Sequence, residues 1–184
     1  MQEFSARGFR RAFQGKIIMR KSLIAGAFLV LVSSPAALAA MTVTLGAPWD
    51  GVKVPPGQHC KLDRGGKGAT PPMTVKGLPS GTAQIVVAYN DRDYPPLSKK
   101  GGHGTIGFAV SGQTAQLPPV PGHTKKMPAG AVVVARAKSE GNYASAGYLP
   151  PCSGGKGHRY FAVVSAVDAA GKTLEEVTVE LGKY

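Results

Sequence analysis

From Met41 to Tyr184 no stretch holds a convincing helical period, and that limits the possible fold more than any other feature of this chain. Apolar residues come in short runs instead. "MTVTL" alternates, "AQIVVAYND" is a β-branched run that ends in acids, and "GTIGFAV" and "AVVVARA" are brief apolar runs. Near the end, "EEVTVELG" sets Val177, Val179 and Leu181 against Thr178 and Glu180. Between them lie "RGGKGATPP", "GLPSGT" and "LPPVPGHTKKMPAG", where Pro fixes φ and Gly releases it. Several strands joined by long, varied loops predict a mostly β fold with little helix, a single-domain β-sandwich or a barrel-like domain rather than βαβ units. Neither side of "QLPPVPGHTKKMPAG" has enough strands to stand alone, so residues 41–184 are read as one domain.

Residues 1–40 have a different character. From Met19 the chain reads "MRKSLIAGAFLVLVSSPAALAA": Arg20 and Lys21, ten apolar or small residues from Leu23 to Val32, then Ala37-Leu38-Ala39. This is the layout of a secretory signal peptide with cleavage after Ala39, and the apolar run is too short for a stable membrane anchor. Residues 1–18 add nothing that such a signal needs, which leaves Met19 as an alternative start to Met1. The expected location is periplasmic or secreted.

Without residues 1–40 the chain keeps sixteen Lys and Arg against nine Asp and Glu, a formal balance of +7. The charges are spread through Gly-rich loops, at Lys61, Arg64, Lys67, Lys76, Lys99 and Lys100, with no helical stripe and no interleaved aromatics. That pattern suits solubility and weak anion attraction, and argues against nucleic acid as a partner. Only two cysteines remain for an oxidising compartment. A Cys60–Cys152 disulfide is the economical reading; two separate buried thiols is the other.

Two stretches place polar groups at strand ends. "GGKGHRYFAVVSAVD" delivers Gly157-His158-Arg159-Tyr160 where a long apolar run begins, and Asn90-Asp91-Arg92-Asp93 closes another. Asp91 and Asp93 share a face if the backbone stays extended, and His103 follows ten residues after Asp93. The plain alternative is that these are turn and loop residues. Nucleophilic chemistry has little support. "CSGG" lacks the surroundings of a nucleophile elbow, and a disulfide would silence Cys152 beside His158. Asp91, Asp93, His103 and His158 are the ligand types that suit Zn²⁺, yet no pair has the short spacing of zinc motifs. No catalytic residue, metal or cofactor is expected.

Taken in order, "GATPPMTVKGLPSGTAQIVVAYNDRDYPP", "HGTIGFAV" and "GYLPPCSGGKGHRYFAVVSAVD" resemble the successive signatures of the phosphatidylethanolamine-binding protein family, also called the Raf kinase inhibitor protein family, in its bacterial exported form. The resemblance covers roughly residues 50–168, and its His-Arg-Tyr box is the specific part. It implies that family's sandwich-like fold and a small pocket for an anionic group such as phosphate or a phospholipid head group. Asp91 and Asp93 would stand in the acid box, His103 in the His-Trp position, His158 and Tyr160 in the last box, and Pro151 nearest the pocket proline. An imidazole beside a carboxylate holds a proton more readily and then donates to a phosphate oxygen, as a Tyr hydroxyl also does. Cys60 and Cys152 occupy the places of a cysteine pair common in exported relatives, whose bridge would pin the pocket loop to the sheet.

The departures carry expectations too. Arg92 replaces a proline between the acids and should either add a positive group at the rim or point to solvent. Gly104 replaces a tryptophan, which should open one wall. The loop from Cys152 to His158 is one residue short, and a C-terminal helix over the pocket mouth should be missing or replaced by loops. The function implied is an exported module binding a small anionic ligand. The alternative is an inhibitor of a kinase or protease that works through the same region.

Overall fold

The computed structural model describes residues 40–184; the expected signal segment lies outside them. The elements run β1 (Thr42–Leu45), β2 (Met73–Lys76), β3 (Thr82–Asp91), β4 (Thr105–Ala109), β5 (Thr114–Leu117), β6 (Ala131–Ala135), β7 (Arg159–Asp168) and β8 (Thr173–Lys183). Two single 3₁₀ turns, Pro95–Leu97 and Gly141–Tyr143, are the helical pieces among the described residues. All strand pairs are antiparallel. One sheet has the order β1-β2-β5, and the other β6-β4-β3-β7-β8.

The larger sheet follows directly from the β-branched runs. Along β3, Ile85, Val87 and Tyr89 are buried; opposite them on β7 lie Ala166, Val164 and Ala162, also buried. Period-two alternation thus gives each strand an apolar face, and burying each Ile or Val there contributes about 1.5–3 kcal/mol. Met73, Val75 and Leu117 of the smaller sheet share the same core. A mostly β domain built from two sheets around one interior is what the alternation predicts. The expected alternation of β8 also holds: Val177, Val179 and Leu181 turn inward while Thr178 and Glu180 are exposed.

β2 and β5 were not among the runs singled out from the sequence. Each has four residues, "MTVK" and "TAQL", too short for a period to stand out, and each gains its partners only when the sheet assembles. After β8, Tyr184 stacks on His59 at 4.9 Å between ring centroids, and its hydroxyl donates to Asp63.

Register decides where the polar groups go. The β3–β7 ladder ends with Asp91 opposite Tyr160, so Asp91 takes the next position on the face of Ile85, Val87 and Tyr89. A carboxylate and a phenol thereby replace the apolar pair at one end of the sheet. Two further hydrogen bonds extend the β3–β4 pairing to the same end: Tyr89 N–H donates to Gly104 O (3.0 Å), and His103 N–H donates to Tyr89 O (2.9 Å).

Candidate functional site

A cavity of about 720 Å³ opens at this end of the larger sheet, with Asp91, His103, His158 and Tyr160 among its walls. Asp91 is buried and both its oxygens are engaged: Oδ2 lies 2.7 Å from His158 Nδ1, and Oδ1 accepts the Asp93 N–H at 2.8 Å. His158 is held from behind as well, since its carbonyl accepts the Tyr184 N–H. Its second ring nitrogen is left for the cavity. The Tyr160 hydroxyl accepts the Cys152 N–H at 3.2 Å, and burial pushes its pKa well above the ordinary phenol value, so it keeps a proton to donate.

His103 is 3% exposed and stands edge-on to the Tyr160 ring, with centroids 5.3 Å apart. Its Nδ1 sits 2.8 Å from the Leu149 carbonyl, and its Nε2 is buried without a hydrogen-bond partner. Burial lowers the pKa of this ring, overriding the opposite pulls of the Leu149 carbonyl and of Asp91.

Four of the six residues expected at the site therefore meet in one place. Asp93 does not line the cavity. The expectation that it shares a face with Asp91 required extended backbone, but the strand stops at Asp91 and the chain turns through Arg92 and Asp93. The Asp93 carboxylate instead accepts from the Arg159 backbone N–H (2.7 Å) and guanidinium, and those bonds hold its pKa far below the usual carboxylate range. Pro151 is buried behind the wall, where its carbonyl accepts the Cys60 N–H at 2.9 Å.

The two departures also resolve. Arg92 pairs with Glu180 and lies 4.1 Å from the centroid of the Phe161 ring, so it neither joins the rim nor points freely to solvent. Gly104 does not leave an open wall. With φ at +103°, a Cβ there would lie 2.6 Å from the Gly147 carbonyl oxygen, so the 147–149 segment occupies the space beside it. That segment is stitched on by the Leu149 N–H, which donates to His103 O at 2.8 Å.

Cys60 and Cys152 form a disulfide, with Cα atoms 5.2 Å apart. Cys60, fully buried, packs with Leu97, Ala137 and Leu149 beneath the cavity, and Cys152 is part of its wall. Several wall residues were not anticipated. Lys138 and Lys156 bring positive charge, and Tyr94 and Tyr143 are half-exposed at the mouth. Tyr94 adjoins the acid box and its position alone was a usable signal. Lys138 and Tyr143 sit in a loop without periodicity, brought to the cavity by a contact that local sequence does not encode, the Lys138 N–H to Gly102 O at 2.9 Å.

A second, more open depression lies between β1 and β8, by Leu45, Trp49 and Val179. Its two acids are committed elsewhere: Asp50 accepts the N–H groups of Val52 and Lys53, and Glu180 pairs with Arg92. The convergent titratable groups are at the first cavity.

The family model for phosphatidylethanolamine-binding protein matches residues 46–182. This chain belongs to that family. The match contains both cysteines and every residue of the cluster. Among solved structures, Escherichia coli YbcL, described as a new member of the mammalian phosphatidylethanolamine-binding protein family, is similar at 21% identity and a TM-score of 0.53, covering 79% of this chain and 98% of YbcL. A structure named as a phosphatidylethanolamine-binding protein homolog from Chlamydia trachomatis is similar at 20% identity and a TM-score of 0.48, covering 79% of this chain and 97% of its own. No curated protein sequence matches this chain. At such identities the YbcL likeness speaks to the fold, and family membership gives a ligand-binding fold of the phosphatidylethanolamine-binding protein type.

Proposed function

We propose that this protein is exported and binds a small ligand through an anionic group, seated against His103, His158 and Tyr160, without transforming it. The observation that carries this reading is the state of Asp91. Both its oxygens are already bonded, so the carboxylate serves to orient His158. The other polar residues of the cavity wall are mostly donors: His158, the Tyr160 hydroxyl, Lys156, and Lys138, whose ammonium also donates to Lys99 O at 2.9 Å; the exposed Glu140 is the one further carboxylate. An anion satisfies such a set, and charge-assisted hydrogen bonds to it are the strong kind. A binding role is also favoured by the loss of Cys152 as a nucleophile, since its sulfur is in the disulfide.

Replacing His158 by Ala should weaken phosphate binding roughly 10- to 150-fold, the size of one lost charge-assisted hydrogen bond, and leave the fold intact because the side chain lies at a strand entrance. Calorimetry with inorganic phosphate on wild type and His158→Ala decides it: equal affinities would remove His158 from the site.

Export rests on the N-terminal signal pattern and on a disulfide, which persists in oxidising compartments. No helix among the described residues is long and apolar enough to cross a membrane. Expressed with its full N-terminus in a bacterium, the protein should be recovered from the periplasmic fraction with the mass of a chain starting at Ala40. Recovery of the uncleaved mass from membranes would refute export by cleavage.

A further inference from the structure

The outer face of the larger sheet is apolar where solvent should make it polar. The smaller sheet packs on the inner face, where Met73, Val75 and Leu117 join the core. An antiparallel sheet with one wet face alternates apolar and polar residues along each strand, as β8 does. β3 and β7 do not. Their outward positions carry Val86 and Ala88, and Phe161 and Val163, and the register sets Val86 beside Gly107 of β4 and Ala88 beside Val163. On the edge strand β6, next to Gly107, Val132 and Val134 are 50% and 51% exposed. Near-continuous apolar strands are the pattern of a sheet that is buried on both faces.

The charge and the shape of this face agree with that pattern. From β6 across β4 and β3 to β7, the row Val132–Gly107–Val86–Ser165 and the row that contains Thr105, Ala88 and Val163 carry no charged side chain. Where β8 borders the face, its carboxylates are engaged within the chain. Glu176 accepts from the Ser165 hydroxyl at 2.9 Å, and Glu180 pairs with Arg92, which lies over the Phe161 ring. The face is also level. Gln84 and Val134 close over Gly107, so that a Cβ there would lie 2.6 Å from Gln84 Nε2 and 2.9 Å from Val134 Cγ2.

We propose that this face joins two copies of the chain, outer sheet against outer sheet, in a symmetric dimer. Residues 41–184 carry a formal balance of +7, so two copies repel as wholes and can share only a surface to which neither brings unpaired charge. A symmetric contact sets the patch against itself, and an uncharged, level patch meets its own copy without conflict. A partner of opposite charge gains nothing from a face without free cations. The area is sufficient as well. At about 3.3 Å per residue and about 4.8 Å between strands, the five strands present roughly 650 Å² of face. A pair of copies then buries roughly 1,300 Å², within the range of about 1,200–2,000 Å² of stable specific interfaces.

Sedimentation velocity on the protein starting at Ala40, from about 1 μM to about 500 μM, tests this. The protein should be largely dimeric at the upper end. Raising NaCl from about 0.05 M to about 0.5 M should tighten the dimer, because salt screens the repulsion between the copies and leaves apolar contact in place. Val132→Lys and Val163→Lys should each raise the dissociation constant about tenfold or more, since each sets two like charges in the interface. Val132→Lys should leave the unfolding midpoint at about 1 μM unchanged, as the side chain is half exposed in one copy. If Val163→Lys does not fold, Ala88→Lys in the same row takes its place. A monomer at every concentration would overturn the proposal. So would a dimer that loosens with salt, which charged contacts would be holding, or one that survives a folded Val163→Lys or Ala88→Lys, which would be joined elsewhere, as by pairing along the β6 edge. None of these results bears on the anion pocket, which lies at the end of the strands.

Discussion

Replacing Cys60 and Cys152 together by alanine should lower the stability of the domain by about 4 to 5 kcal/mol, a large share of what a domain of this size possesses. The bridge joins residues 92 apart, and a crosslink over so long a loop removes much of the freedom of the unfolded chain. The native state should change as well, in one place. Cys152 forms part of the cavity wall and its N–H holds the Tyr160 hydroxyl, while the neighbouring Pro151 carbonyl accepts from Cys60. Urea unfolding of the oxidised protein and the double variant measures the first effect. Hydrogen exchange around residues 150–158 measures the second, which should exceed any change in β3 or β7. An unchanged urea midpoint would mean that the bridge contributes nothing to stability.

A comparable loss is expected from Asn90→Ala. Asn90 is 1% exposed, and its Oδ1 accepts the N–H groups of Gly101 (3.0 Å) and Gly102 (3.2 Å), while its Nδ2 donates to Ala88 O (2.9 Å). Alanine would leave two buried N–H groups without a partner, at a cost of about 2 to 5 kcal/mol in total. Gly102 is also packed closely against the Pro95–Leu97 turn, since a Cβ there would lie 2.2 Å from the Leu97 carbonyl oxygen. The melting temperature should drop by about 10 °C, with phosphate affinity falling alongside, since His103 directly follows this loop. A scanning calorimetry trace superimposable on wild type would show that the loop finds other partners.

Asn90 also marks the limit of what the sequence could disclose. Its neighbours Asp91 and Asp93 stand out as carboxylates at the end of an apolar run, whereas an asparagine in a turn-rich stretch looks like any turn former. Its role depends on a loop eleven residues on folding back against it. The long strands β3, β7 and β8 were legible because burial on one face imposes a period of two over many residues. β2 and β5 were not, since four residues make too short a period and their burial depends on the partner sheet. Within the site, Asp91, His103, His158 and Tyr160 could be picked out through the resemblance of their ordered motifs. Asp93 was misplaced for a local reason: parity along a strand predicts a face only while the strand continues, and the Asp91 carboxylate itself caps the turn that ends it by accepting the Asp93 N–H. Lys138, Lys156 and Tyr143 carry no local pattern, and only the folded loops bring them to the mouth.

The register that sets Asp91 against Tyr160 divides the cavity into parts of different permanence. The floor is main-chain ladder: shifting Asp91, His103 or Tyr160 by one residue would turn the apolar rows of β3, β4 and β7 inside out, so these positions can vary little without unmaking the core. The mouth is made of loops around Tyr94, Tyr143 and Lys156, whose lengths no ladder constrains. Insertions and exchanges there can reshape what surrounds a bound group while the machinery that grips it stays fixed, so a single floor can serve ligands that differ everywhere except in the part it holds.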